Sequence, residues 1–487
     1  MGMGIPKAFS QTFVYWMGRM GARSLSLLLL PLYTAHIAPV EWGALALLIT
    51  SGDLVALVVG LQLTNALYSH WARARSEEER RSLTGLVLAC TALVPGVALL
   101  PVYLFSREIA SLLGDHEYQG MVMLYALAIH IGAIVGVVQA EMRLREETRR
   151  YAAMEIALSA AIAGVSAVLV AGFGLGIRGM VWGNFAAFTA VAAVTLPRML
   201  RRARLNLDLN KLRSLVSFSL PLIPSSAAMA GVHNLDRYLL QAYLGAQVVG
   251  IYSMGYKFGQ LINLAVLGPF LLYWEPKSYQ IALEPKAEER LGRMFTLLAA
   301  LLVFFVVALS GMAREVVQLM TDERYWEAYR VVPPVVISYA VFGLDSVARV
   351  GMLAAGRTRT VLVVVLVSLA VNIGGNLWLI PRWGMLAAAW MTLGTFVVLL
   401  AGDMLLSHRS IPIRYEKRNF LILIAVGALV WGLQAGIHLE SLWASLAAKL
   451  TVVTIYPLAL WAAGILRSKN DGQETDSICA SERARSQ

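Results

Sequence analysis

Six cations, Arg19, Arg23, Arg237, Lys257, Arg349 and Lys449, stand inside apolar stretches of the chain. At about 2.5–3.5 kcal/mol for each charge at the centre of a membrane span, together they cost roughly 15–20 kcal/mol before compensation. Tyr15, Arg19, Arg23 and Ser26 recur three or four residues apart, which aligns them on one helix face. Two arginines one turn apart repel, and no acid accompanies them. That face suits the wall of a hydrated cavity receiving an anion. His233, Arg237 and Gln241 make a second stripe, with Asp236 beside Arg237 as a local neutralising partner. Lys257 lies near Tyr252, Tyr256, Gln260 and Asn263, a polar group fit to face water. Asp345 and Arg349 are four apart, acid first, the favourable order for a pair within one helix, so a structural role outweighs a cargo contact there. Asp53 is the clearest unpaired acid and is assigned either to a pair with Arg23 or to a coupling proton. Lys449 is expected to snorkel or to touch lipid, and Asn372 and Asn376 to form interhelical hydrogen bonds.

These groups can recognise a negative charge and couple to an ion; they do not make a catalytic centre. The chain has no phosphate-binding Walker loop, no metal-spaced cluster of cysteine and histidine and no nucleophile elbow. No enzyme activity, cofactor or metal is expected, and energy must come from an ion gradient, the membrane potential or consumption of the product.

The elements that position these residues follow from composition. Hydrophobic residues are 58% of the 487 and charged ones 15%, far from the roughly 45–50% and about 25% of soluble domains. The apolar residues fall into runs of about 20, the length that crosses a hydrocarbon core as a helix. A stretch such as 361 to 371, VLVVVLVSLAV, is apolar on every face, which excludes the alternation of a barrel strand. Fourteen spans are expected, near 12–34, 42–67, 83–105, 120–140, 151–172, 179–196, 215–241, 248–273, 294–312, 331–355, 360–380, 385–407, 419–436 and 442–466. No cleavable leader is expected. The loop 313–330 reads as one short interfacial helix, and the polar segment 467–487 as a disordered cytoplasmic tail. Two cysteines, Cys90 and Cys479, make no disulfide framework.

The charge of +11 is distributed by side rather than gathered for nucleic acid. With both ends cytoplasmic, 29 of the 41 Lys and Arg fall in cytoplasmic segments and 6 on the opposite side, the asymmetry of the positive-inside rule. The chain also repeats itself. Trp42-Gly43-Ala44-Leu45 corresponds to Val249-Gly250-Ile251-Tyr252, Arg178-Gly179-Met180-Val181-Trp182 to Trp383-Gly384-Met385-Leu386-Ala387, and Thr148-Arg149-Arg150 to Arg357-Thr358-Arg359. Six spans separate equivalents, so the halves share one orientation and the path should run between them. The expected organisation is a six-helix bundle over 1–205, a second over 206–410, and two added helices over 411–466.

Asp236-Arg237-Tyr238-Leu239-Leu240 through Leu244-Gly245-Ala246, Val249-Gly250-Ile251-Tyr252 and Tyr256-Lys257 resembles the seventh and eighth helices of polysaccharide-biosynthesis flippases. These belong to the multidrug/oligosaccharidyl-lipid/polysaccharide exporter superfamily. Leu379-Ile380-Pro381-Arg382-Trp383-Gly384-Met385-Leu386-Ala387 is similar to the family's opening of the twelfth helix, and Tyr325-Trp326-Glu327-Ala328 to its outer-loop signature. The resemblance implies alternating-access transfer of a polyprenyl-pyrophosphate-linked oligosaccharide across the bacterial inner membrane, with arginines of the first helix meeting the pyrophosphate. Polysaccharide polymerase and glycosyltransferases would be its partners. A multidrug antiporter of the same superfamily would be expected to line its cavity with acids; a peptidoglycan-precursor flippase is a further alternative. A membrane glycosyltransferase or polymerase would need catalytic groups on an outer loop longer than 313–330.

Reporter fusions should be active in the cytoplasm after Arg80, Arg204 and Arg414, and outside after His116 and Asp322; an external signal at Arg204 would overturn the orientation.

Overall fold

The computed structural model describes residues 27–204, 208–437 and 439–465, and among these the chain is helical with no strand. The order begins with α1 (Leu30–His36), α2 (Pro39–Val59), α3 (Leu63–Arg73), α4 (Glu77–Leu104), α5 (Ser106–Leu112), α6 (Gln119–Leu144), α7 (Thr148–Ala167) and α8 (Gly176–Arg202). It continues with α9 (Leu209–Ser219), α10 (Leu222–Leu244), α11 (Ala246–Gly259), α12 (Gly268–Ala282), α13 (Ala287–Gly311) and α14 (Ala313–Met320). Last come α15 (Val332–Ala348), α16 (Val350–Ala354), α17 (Thr358–Ser407), α18 (Lys417–Ala435), α19 (Leu442–Val453) and α20 (Ile455–Ala462).

Local chemistry sets many of the boundaries. Ser76 caps α4, its hydroxyl accepting from Glu79 N at 3.1 Å, and Glu77, Glu78 and Glu79 occupy the first turn, where the helix dipole favours acids. Asp208 caps α9 in the same way. Between α2 and α3 Leu61 and Gln62 take φ of 48° and 51°, a left-handed break that costs each side chain about 1–2 kcal/mol. α9 and α10 meet at 42° at Pro221, which cannot donate a backbone hydrogen bond. Gly384 (φ 63°, ψ −145°) kinks α17, a conformation that glycine adopts readily. The loop expected as one helix is instead α14 followed by a 3₁₀ segment, Glu323–Arg330. Extended Thr321 ends the first, and the Asp322 carboxylate caps the second.

Among the described residues ten helices are long and apolar enough to cross a membrane, or eleven when α9 and α10 form one bent span. Three features separate this number from the expected fourteen. The first span begins outside the described residues, as do Arg19 and Arg23. The eighth stays helical from Ala246 to Ala282 through a π segment, Asn263–Leu267, but neither α11 nor α12 alone has the length of a span. The eleventh and twelfth are both present as the two helical arms of α17, which break at the non-helical Gly384 and fold back on each other so that Asn372 meets Thr395, and they are counted together.

In the first half α6 packs on α4 and α8, and α8 on α7; in the second, α15 packs on α13 and α17, and α10 on α17. The halves meet along α2 and α11. A Cβ on Gly43 would stand 1.9 Å from the carbonyl oxygen of Ala246, and one on Gly250 1.9 Å from that of Pro39. The two glycines that mark equivalent positions in the repeat therefore face each other across the seam, backbone against backbone. α9 leans on α3, with His70 Nε2 3.0 Å from Ser214 Oγ and the His70 ring edge-on to Phe218.

Gly250→Val should force α2 and α11 apart and cost at least about 1–3 kcal/mol, the usual penalty of overpacking. Thermal unfolding in detergent should fall clearly, whereas Gly432→Ala, into open space, should leave it unchanged.

Candidate functional site

Of the intramembrane cations among the described residues, Lys257 alone is without a carboxylate partner. It projects from α11 at the seam, half-buried, with Nζ 4.9 Å from the centre of the Trp42 ring on α2. An aromatic face attracts a cation without neutralising it, by about 0.5–2 kcal/mol. Trp42 meets the ring of Tyr325 edge-on at 6.4 Å, and Tyr325 donates to the carbonyl of Ile37 at 3.0 Å. The loop after α14 is thus tied to the loop after α1. Arg324 adds to the tie by donating to the carbonyls of Thr34 (2.9 Å) and Ala35 (3.2 Å), while Asp322 N donates to Thr34 Oγ1 at 3.1 Å. The hydrogen bond from Arg324 holds the Asp322 carboxyl below the usual carboxylate range, so this arrangement is intact at neutral pH and loosens only on strong acidification. The seam is sealed at this end.

Arg237 is enclosed. Its guanidinium donates to His233 O (2.9 Å) and Asn234 Oδ1 (3.0 Å), lies 3.5 Å from Asp236 Oδ1, and stacks over Tyr256 at 4.5 Å. Asp236 also accepts a hydrogen bond from the Tyr252 hydroxyl. Of the two roles open to Arg237, local pairing is the one realised in this conformation. Asp53 is exposed and has no hydrogen-bond or ion-pair partner among the described residues. It follows Ser51, whose hydroxyl meets that of Tyr238 at 2.7 Å across the seam. Asn372 makes the expected interhelical hydrogen bond, Nδ2 to Thr395 Oγ1 at 2.9 Å, joining the two arms of α17.

Arg349 pairs with Asp345, as the spacing implies, but a second acid is present. Asp403 of α17 brings Oδ2 to 3.7 Å from Arg349 Nε. The sequence reading missed Asp403, although it is the one charged residue between Gly384 and Ser407. Lys449 requires a correction. Rather than snorkelling or facing lipid it is 6% exposed, with Nζ 2.5 Å from Glu315 Oε1, and Ser445 donates to the same oxygen. The first turn of α14 carries Glu315 against α19, so the lysine of the appended span is neutralised by an acid from outside that span. Burial alone would raise the pKa of Glu315, but the hydrogen bonds from Lys449 and Ser445 outweigh it and hold the carboxyl below its usual range. The larger cavities lie away from the seam. One of 660 Å³ sits beside Glu117, Arg178 and Trp182, and one of 750 Å³ beside Arg145, Arg198 and Arg202.

Long apolar helices that meet along the glycine contact of α2 and α11, with charged side chains buried among them, define a polytopic membrane protein. Solved structures agree on the fold. The lipid II flippase MurJ in an inward closed conformation superposes with a TM-score of 0.71 over 94% of this chain and 100% of that one, at 11% identity. The Vibrio cholerae MATE transporter VcmN gives 0.62 over 85% and 97%, at 16% identity. The chain belongs to the polysaccharide biosynthesis protein family, whose model matches residues 9–273. The succinoglycan biosynthesis transport protein ExoT of Rhizobium meliloti is 26% identical over 255 residues, 52% of this chain and 49% of that protein. The chain thus spans about half the length of the curated relative it matches. This relative and these two structural neighbours are named as transport proteins.

Glu315→Ala should leave Lys449 buried without a partner and cost about 3–5 kcal/mol, read as a lowered midpoint of thermal unfolding. Replacing both by leucine should recover most of it. The stabilisation should be present at neutral pH and fade as acid protonates Glu315, since the folded-state pKa is the lowered one.

Proposed function

We propose that this transporter moves a polyprenyl-pyrophosphate-linked oligosaccharide from the cytoplasmic to the outer leaflet of the bacterial inner membrane, with both termini cytoplasmic. The observation that carries the reading is Lys257, a cation on the seam between the bundles with an aromatic neighbour and no carboxylate. Arg19 and Arg23 would complete the anion-binding wall from the first span, with Arg237 and Arg349 reached only if their pairs open. The tail of the lipid would stay in the bilayer while the bundles rock about the seam. The sealed Asp322 end is the external one in this reading, and the bend at Pro221 lets α9 move with the first bundle. An inside-negative potential favours outward movement of an anion by about 2.3 kcal/mol per charge per 100 mV. The relative named for succinoglycan biosynthesis transport supports a surface polysaccharide as the product. A polysaccharide polymerase and glycosyltransferases are the expected functional partners. Lys257, a cation at the seam with no carboxylate beside it, argues against a multidrug antiporter of cationic drugs.

In a deletion strain, lipid-linked sugar should accumulate on the cytoplasmic leaflet and the surface polymer disappear, without hypersensitivity to cationic dyes. Complementation should be partial with Arg23→Lys and weaker with Arg23→Ala, and should fail with Arg23→Glu and with Lys257→Glu. Full transport by well-inserted Arg23→Glu and Lys257→Glu proteins would remove the anion-binding wall, and dye hypersensitivity with normal polymer would favour the antiporter.

A further inference from the structure

The second bundle holds a buried group of charges that does not balance. Asp345 on α15 is 0% exposed and Asp403 on α17 is 1% exposed, and one guanidinium, Arg349, serves both. Arg349 is committed to Asp345 on its own helix; its Nε stands 3.7 Å from Asp403 Oδ2, beyond hydrogen-bond range. Both carboxylate oxygens of Asp403 are buried with no hydrogen-bond donor, as is Oδ1 of Asp345. Ser407, one turn beyond Asp403 on α17 and also buried, has a hydroxyl without a partner. The other elements packed here do not supply the missing positive charge. α16 carries no charged residue, and Glu275 of α12, the other charged group facing Arg349, adds a further acid. His408 and Arg409 follow α17 but are exposed. A fully ionised carboxylate held this way would be a buried charge without hydrogen bonds, which proteins avoid by neutralising the group.

We infer that Asp403 is a proton-binding site, loaded in this conformation, and that Arg349 is the arm that responds when the proton leaves. With Asp403 protonated, Arg349 rests on Asp345 within one helix, and α15 and α17 are joined there by packing alone. When the proton departs, the guanidinium is drawn between the two carboxylates and ties α15 to α17. The site is placed for exchange with water, because the Arg349 side chain is 21% exposed and lies near the arginine-rich 355–359 turn rather than the sealed Asp322 end. A proton fits better than a metal cation, since the guanidinium already occupies the space beside the carboxylates that a shell of oxygen ligands would need. The site lies apart from Lys257 and the seam, and supplies the transport reading with a coupling ion. It does not depend on the identity of the cargo.

The test is infrared difference spectroscopy of the full-length protein in liposomes, titrated from acid to alkaline pH without cargo. A carbonyl band of a protonated, hydrogen-bond-poor carboxyl should disappear as pH rises and should shift in heavy water. Asp403→Asn should abolish it, and Asp403→Glu should retain it at a glutamic-acid position, which separates loss of the proton from loss of the fold. Asp345→Asn should also suppress it at neutral pH, because Arg349 is then free to pair with an ionised Asp403. A titrating band unchanged in Asp403→Asn, or no such band at all, would overturn the site. So would a spectral change produced by sodium rather than choline at fixed pH and lost in Asp403→Asn, because the cation would then be sodium. Surface-polymer assays of the same variants read the transport proposal separately. A band that behaves as described in a protein that moves no lipid-linked sugar would leave this site standing and remove the cargo assignment.

Discussion

Contact between two backbones is the constraint on which the molecule rests. Gly43 and Gly250 bring α2 and α11 so close that either Cβ would overlap a carbonyl oxygen of the other helix. In lipid there is no hydrophobic gain from pressing helices together, so close van der Waals approach at small residues carries much of the association. Holding the halves at backbone distance at one point sets the separation of everything beside it. Trp42 can lie under Lys257 because both flank that contact, and Tyr325 reaches Ile37 because the adjoining loops are drawn together.

Charge supplies the second level of organisation. A cation within the membrane must be paired, wet or in use, and the described residues sort themselves by that rule. Arg237, Arg349 and Lys449 have carboxylates beside them, two from their own helix and one from a distant loop. Lys257 has an aromatic ring. The pairing ranks these cations for a role in recognition: a paired arginine must first be released from its acid before it can meet an anion, whereas Lys257 needs only to exchange its aromatic neighbour.

Much of this was legible in the sequence because it is local or repeated. The membrane class follows from apolar runs of about 20 residues, and the motifs around Gly43 and Gly250 stand out in the sequence, though nothing there says that the two glycines touch. Periodicity assigns a residue to a helix face and cannot say which helix covers that face. For that reason Lys449 was read as facing lipid, when Glu315, 134 residues earlier, lies against it. Asp403 stands alone in an apolar run, 54 residues beyond Arg349, and nothing in its spacing places it against that guanidinium. The π segment within the eighth span was invisible for a different reason: Gln260 and Asn263 read as polar lining, and nothing in their types announces it.

The pair between Glu315 and Lys449 has a bearing on how the chain is built. A ribosome makes Glu315 first, and the membrane must accept α14 with an acid whose partner has not yet been synthesised. Only when α19 arrives does the lysine meet it. The last span thereby closes a latch left open earlier in the chain, and a nascent chain halted before Ser445 and Lys449 carries a carboxylate without either of these partners.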